Sequence, residues 1–337
     1  MDTVFITGTA GFIGFHLARL LLDTGWKVIG LDGMTDYYDV SLKQRRHEAL
    51  KADPGFTALE FMLDDHESLM EACQHHQPRV MIHLAAQAGV RYSIDQPRSY
   101  VESNLIGSFN ILEVAKVLGV RHLLMASTST VYGANPEKPF QENHPTRHPM
   151  SFYAATKKAN EAMAHSYAHL FDIPTTMFRF FTVYGPWGRP DMALFKFARA
   201  MLAGEPIDVY NHGRMQRDFT YVGDRVEGIR RLIDVIPPLP DDRDAAIDGD
   251  SLSPVAPWRA VNIGNGTTIE LMDYIRALED ALGITAEKNM MDMQQGDVPV
   301  THASNTLLKQ LTGFVPSTPV EEGVAKFVEW YRQAYNH

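Results

Sequence analysis

The chain has 337 residues, 45% of them hydrophobic, and carries 41 acidic against 31 basic side chains for a net charge of −10. That is an ordinary globular composition with room for one large or two modest domains, and the absence of a basic stripe argues against nucleic-acid binding. A single cysteine, Cys73, excludes an internal disulfide and is read as a packing residue, while no apolar run reaches membrane-spanning length, so cytoplasmic residence without a membrane partner is expected.

The opening run Val4–Thr7 has strand character, and Gly8-Thr-Ala-Gly11-Phe-Ile-Gly14 leads directly into a helical run at Gly14–Asp23. A strand, a glycine-rich turn and a helix in immediate succession are the context of a dinucleotide-binding motif. Gly8 permits the sharp turn, Gly11 the close approach of backbone to a pyrophosphate, and Gly14 the packing of helix on strand; Ala10, Phe12 and Ile13 belong to the same loop. The helix start offers free amides to phosphate oxygens. The next strand, Val28–Leu31, ends at Asp32, an acid placed to accept hydrogen bonds from a ribose. Gly33-Met-Thr follows it without an immediate arginine, although Lys43, Arg45 and Arg46 lie a little further on, and this favours NAD over NADP.

Further strand-like runs fall at Thr57–Leu63, Val80–Leu84, His122–Ser127 and Thr175–Phe180, with helical runs at Asp65–His75, Tyr100–Leu118 and Tyr153–Phe171. The alternation predicts a doubly wound parallel sheet of Rossmann type, with ligands beyond the carboxyl ends of the strands. Residues 1–180 are expected to form the cofactor domain and 181–337 a smaller, interleaved substrate lobe, some of whose segments return to the first domain. Residues 237–257, rich in proline, acid and serine, read as a flexible surface loop. His75-His76 lacks the companions a metal site needs, so no metal is expected.

Tyr153 and Lys157 stand four apart, on one face of a helix. A free tyrosine titrates near ~10, and a neighbouring lysine cation is expected to lower that value and so make the phenol a usable base.

With the glycine turn, Asp32 and the Tyr-x-x-x-Lys pair in this order, the chain resembles the extended short-chain dehydrogenase/reductase family over nearly its whole length. The resemblance extends to Leu84-Ala85-Ala86-Gln-Ala88-Gly89-Val-Arg91 as the loop beside the cofactor, to Asp64 and Asp65 as adenine-side acids, to Asn104 as a supporting asparagine, and to Phe180 at a strand end. Ser127-Thr-Ser-Thr-Val-Tyr-Gly133 looks like the strand end that carries the active-site hydroxyl, which the family pattern places at Thr128. The resemblance implies bound NAD, Tyr153 as the base, Lys157 holding the nicotinamide ribose, Thr128 bonding the reacting oxygen, and a homodimer paired through the helices at Tyr100–Leu118 and Tyr153–Phe171.

Arg179 to Met192, Ala88 to Ser93 and Asn211 to Tyr221 resemble segments of UDP-glucuronate 4-epimerases. This implies a UDP-uronic acid substrate inverted at C4 through a transient 4-keto sugar, with no net redox. The uronate carboxylate would meet Arg189, Thr182, Ser129 and Thr130, with Met192 nearby; an arginine fork can bind a carboxylate bidentately. Thr182 stands where galactose epimerases have asparagine, and Thr130 where decarboxylating relatives have glutamate. Tyr210 and Asn211 would border the uracil, and Arg217 and Asp297 the diphosphate and ribose, while Gln294 replaces a second diphosphate arginine. The competing readings are a UDP-glucose/UDP-galactose 4-epimerase, a UDP-glucuronate decarboxylase and a non-catalytic NAD-binding regulatory protein, the last disfavoured by the intact Tyr153, Lys157 and Thr128.

Overall fold

The computed structural model describes residues 2–242 and 247–336. Seven strands form one parallel sheet: β1 (Thr3–Thr7), β2 (Lys27–Asp32), β3 (Phe56–Glu60), β4 (Val80–His83), β5 (His122–Thr128), β6 (Thr175–Phe180) and β7 (Trp258–Ile263). Their spatial order is β7-β6-β5-β4-β1-β2-β3, which reverses direction between β1 and β4. The strands are apolar almost throughout, as a sheet covered on both faces requires. Side chains alternate across it, so Val4 and Ile6 pack on one face while Phe5 packs on the other.

The first face is covered by α1 (Phe12–Asp23), with a helix at Val222–Leu232 packed beside it. The opposite face is covered by α3 (His66–His76), α4 (Gly107–Leu118) and α5 (Phe152–Phe171); α2 (Val40–Lys51) follows β2. Leu42, Arg46 and Leu50 form its inward stripe, but charged residues dilute the apolar period, and sequence reading passed the helix over.

Four expectations need correction. Residues 61–63 leave the sheet after β3, and Met62 and Leu63 instead form part of a cleft wall. The helix expected over Tyr100–Leu118 is interrupted by a π-helical stretch at Val101–Ile106, which widens the helix at Asn104. The seventh strand comes from Trp258–Ile263, deep in the second half, because β6 would otherwise leave an unpaired edge. The segment 237–257 is anchored towards its end: Asp250 pairs with Arg259 at 2.8 Å, and Ala256 is fully buried. Residues 243–246 of that segment lie outside the described residues.

The second lobe has its own aromatic core of Tyr184, Phe195, Phe219, Tyr274 and Phe327, held by short strand pairs such as Thr182–Tyr184 with Phe219–Tyr221. Among the described residues no helix is long and apolar enough to cross a membrane, and no group of three or more potential metal ligands occurs.

Candidate active site

A cleft of about 490 Å³ opens where the strand order reverses, the position at which such sheets bind ligands. Its cofactor end is built by the glycine turn. Gly8 sits at φ +81°, and a Cβ there would lie 2.9 Å from the amide nitrogen of Ala85; a Cβ on Gly14 would lie 2.1 Å from the carbonyl oxygen of Gly8. Only glycine permits this approach of α1 to the turn. The α1 N-terminus has no side-chain cap and no acid in its first turn, so its amides and positive dipole end remain available to an anion. At the end of β2, Asp32 accepts from Ala10 N at 3.1 Å and from Met34 N at 2.9 Å, which fixes its carboxylate beside the turn. Phe12, Ile13, Asp64, Leu84, Ala85, Ala86 and Phe180 complete this part of the lining. The bare glycine cradle, the uncapped helix and the fixed acid fit a dinucleotide.

Of the cations after β2, Lys43 donates to Thr35 at 2.9 Å and lies 4.0 Å from Asp32. Arg45 stacks on Trp187 and Tyr335. Arg46 is fully buried and donates to Ala10 O at 2.8 Å, Tyr38 Oη at 2.9 Å, Trp187 O at 2.5 Å and Gly188 O at 3.3 Å. One guanidinium thus ties the glycine turn to the segment that carries Arg189. Trp187 sits at φ +59°, a left-handed conformation costly for a bulky residue, and the bond to its carbonyl helps to hold it there.

The reacting end lies where β5 meets α5. Ser151 caps α5 by accepting from Ala154 N at 3.1 Å, which places Tyr153 in the first turn. Lys157 is 2% exposed and donates to Ala126 O at 2.9 Å. Burial pulls its ammonium down to about 8. Tyr153 lies beside Thr128; burial pushes its phenol up, and the Thr128 hydroxyl and the charge of Arg189 oppose the rise. The lowering expected from Lys157 is not among these effects. Thr128 Oγ1 also accepts from Thr130 N and Thr130 Oγ1, both at 3.2 Å.

Below this lies a buried network that sequence reading missed. Ser127 donates to Glu161 at 2.7 Å, Arg179 grips both oxygens of Glu161 at 2.9 and 3.0 Å, and Tyr132 Oη reaches Asn262 at 2.7 Å. Glu161 follows Lys157 by one helical turn, so the Tyr153 face of α5 continues into this network. Asn104 is also buried, bonding Gln87 N at 2.8 Å, Gln87 O at 3.0 Å and Thr156 Oγ1 at 3.1 Å; it braces the 84–91 loop against α5 without lining the cleft.

The substrate candidates divide into two groups. Ala88, Gly89, Ser129, Thr130, Thr182, Arg189 and Met192 line the cleft. Arg91, Tyr210, Arg217 and Asp297 gather outside that lining: Arg91 pairs with Asp297 at 3.0 Å and lies 4.9 Å over the Tyr210 ring. Burial lowers Arg217 and the charge of Asp297 opposes this, so those two also lie close together. The cluster abuts the cleft where Gly296 meets Val90. Asn211 turns its amide onto Arg214 O at 2.7 Å, and Gln294 Oε1 is buried without a hydrogen-bond partner. Asp65 is corrected: it caps α3 through Ser68 N at 3.1 Å and stays outside the cleft. The Nε–Nη2 edge of Arg189 is already taken by Asp191, at 3.0 Å and 2.5 Å. Asp191 and Tyr37, both lining residues, were not foreseen; the Tyr37-Tyr38 pair in a short polar loop just after Asp32 was the available signal.

Residues 4–240 match the NAD dependent epimerase/dehydratase family. The chain is 58% identical to a Rhizobium meliloti (strain 1021) protein named "Probable UDP-glucuronate 4-epimerase", over 98% of this chain and 97% of that one. It is 42% identical to UDP-glucuronate 4-epimerase 4 of Arabidopsis thaliana, over 99% of this chain and 76% of that one. Among solved structures, UDP-glucuronic acid 4-epimerase from Bacillus cereus, in complex with UDP-glucuronic acid and NAD, superimposes with a TM-score of 0.87 at 28% identity, covering 99% of this chain and 100% of that one. By these matches the chain belongs to the NAD-dependent epimerase/dehydratase family.

Proposed function

We propose that this chain is an NAD-dependent epimerase that inverts C4 of UDP-glucuronate to give UDP-galacturonate. The carrying observation is that Tyr153, Thr128, Lys157, Thr182 and Arg189 line one cleft together with the glycine turn, while the hydroxyl of Thr130 stands beside Thr128 with no acid at that position.

Tyr153 accepts the proton of the C4 hydroxyl as its bond to hydrogen breaks, and later returns a proton to the same oxygen. Thr128 fixes the phenol and the substrate oxygen relative to each other. Lys157, anchored on Ala126, lies within the dinucleotide cleft, where its ammonium would hold the nicotinamide ribose. NAD, when bound, supplies reversible hydride uptake from C4. With no carboxylate at Thr130 to promote elimination or loss of carbon dioxide, the keto sugar turns over and is reduced on its other face. Arg217 and Arg91, both close to Asp297, would grip the diphosphate, with Tyr210 beside the base.

The protein acts as a homodimer. Ile106, Phe109 and Val117 at and along α4, and Phe152, Leu170 and Phe171 on α5, are large apolar side chains left exposed, which favours burial against a second copy. Cytoplasmic residence accords with one buried, unpaired cysteine.

Purified protein incubated with UDP-glucuronate and no added reductant should yield UDP-galacturonate, separated by anion-exchange chromatography. A UDP-pentose product would overturn the epimerase reading, and turnover of UDP-galactose alone would overturn the uronate preference.

A further inference from the structure

We propose that Asp191, steadied by Tyr37, determines uronate handling by holding the Nε–Nη2 edge of Arg189 and offsetting its charge, so that a substrate carboxylate at the remaining Nη1–Nη2 edge is held weakly and released in each turnover. The inference rests on the UDP-uronate reading above.

Arg189 donates to both oxygens of Asp191, at 3.0 and 2.5 Å, and Tyr37 Oη donates to the same carboxylate at 3.1 Å. Tyr37 comes from the far side of the cleft, after β2; its hydroxyl packs so closely over Gly89 that a Cβ there would lie 2.8 Å away. Among the described residues Nη1 of Arg189 has no hydrogen bond, yet it is not a buried atom lacking a partner. Arg189 lines the cleft, with its guanidinium 5.7 Å over the Tyr37 ring. The Arg189–Asp191 pair is close to neutral as a unit.

The chemistry explains why a weakened cation suits this place. To be reduced on its opposite face, the 4-keto sugar must turn within the site, and the carboxylate on C5 swings with the ring. A guanidinium without a counter-charge would hold that carboxylate through strong charge-assisted bonds in a partly desolvated cleft. Such a grip favours the bound ground state and must be broken before each reduction, lowering KM without raising kcat. With Asp191 offsetting its charge, Arg189 orients the carboxylate together with the hydroxyls of Thr130 and Thr182 and holds it less tightly.

Asp191→Asn keeps the shape of the residue and removes its charge. In the NAD-loaded variant, calorimetric titration should show UDP-glucuronate binding about 10-fold tighter and UDP-glucose unchanged, while kcat for UDP-glucuronate falls several-fold. Tyr37→Phe should shift both quantities in the same direction by less, and it tests the idea even where the asparagine variant does not fold. Weaker binding of UDP-glucuronate, or equal shifts for both sugar nucleotides, would make Asp191 a simple brace and overturn the proposal. Binding is read separately from turnover: a wild-type protein that binds UDP-glucuronate without epimerising it defeats the functional reading alone.

Discussion

The ammonium of Lys157 donates to the carbonyl oxygen of Ala126 at 2.9 Å, and one helical turn earlier Tyr153 lies beside Thr128, two residues further along the same strand. The geometry is commensurate. Four residues of helix rise about 6 Å, and two residues of strand about 6.6 Å. The Tyr-x-x-x-Lys spacing is therefore the spacing at which a helix packed on β5 addresses alternate residues of that strand. The lysine sets the height at which the phenol meets the threonine.

Tyr153→Phe removes the proton acceptor and nothing else from the cleft. Turnover should fall by roughly 10²–10⁴-fold, while the nucleotide released on denaturing the purified protein stays the same. A variant with the wild-type rate would refute the assigned base.

Arg46→Met should damage both ends of the cleft at once. It leaves the carbonyls of Ala10, Trp187 and Gly188 without their buried donor, at a cost of roughly 2–5 kcal/mol. Urea unfolding should register that loss, and both NAD retention and the KM for UDP-glucuronate should worsen. Lower stability with an unchanged KM would confine Arg46 to the cofactor side.

Acid should destabilise the fold below neutrality. Burial, reinforced by the charge of Lys157, lowers His83 from 6.5 to about 3; burial lowers His122 from 6.5 to about 4. Between those values and 6.5 the unfolded chain binds protons that the native state refuses, so stability is lost as pH falls. Each histidine contributes up to about 1.4 kcal/mol per pH unit. Glu142, pushed up to about 7 by burial, binds its proton in the native state and offsets one of the two. Urea midpoints at pH 7 and pH 5 should differ in that sense, and a flat profile would contradict the assignment.

Charge placed on the exposed apolar face should separate the protomers. Phe109→Glu combined with Leu170→Glu is expected to halve the mass seen by light scattering while leaving the melting temperature within a few degrees. A wild-type protein that is already monomeric would remove the dimer.

The cofactor half was legible because its signals are local. Gly8, Gly11 and Gly14 sit between an apolar strand and a helix, and each strand of the first half is bounded by turn residues, so period and punctuation agree. What escaped depends on distance. Asp191 is an unremarkable loop acid until Tyr37, 154 residues away in sequence, closes on it. Arg46 looks like one of four cations on a polar helix, and only the fold brings Trp187 and Gly188 to it. Asp65 was misjudged for the opposite reason: its companion Ser68 is three residues away, and a helix cap explained it without any ligand.

The lateral position of β7 has a bearing on how the protein is made. Residues 258–263 close the flank of β6, which is otherwise a bare apolar strand next to β5. A ribosome adding roughly 5–20 residues per second must therefore release most of the chain before the nucleotide-binding sheet is complete. During those seconds the nascent edge is a template for pairing with another chain. Fragments ending near residue 180 should accumulate as aggregates, and heterologous expression should benefit from slow synthesis at low temperature or from a chaperone that shields that edge.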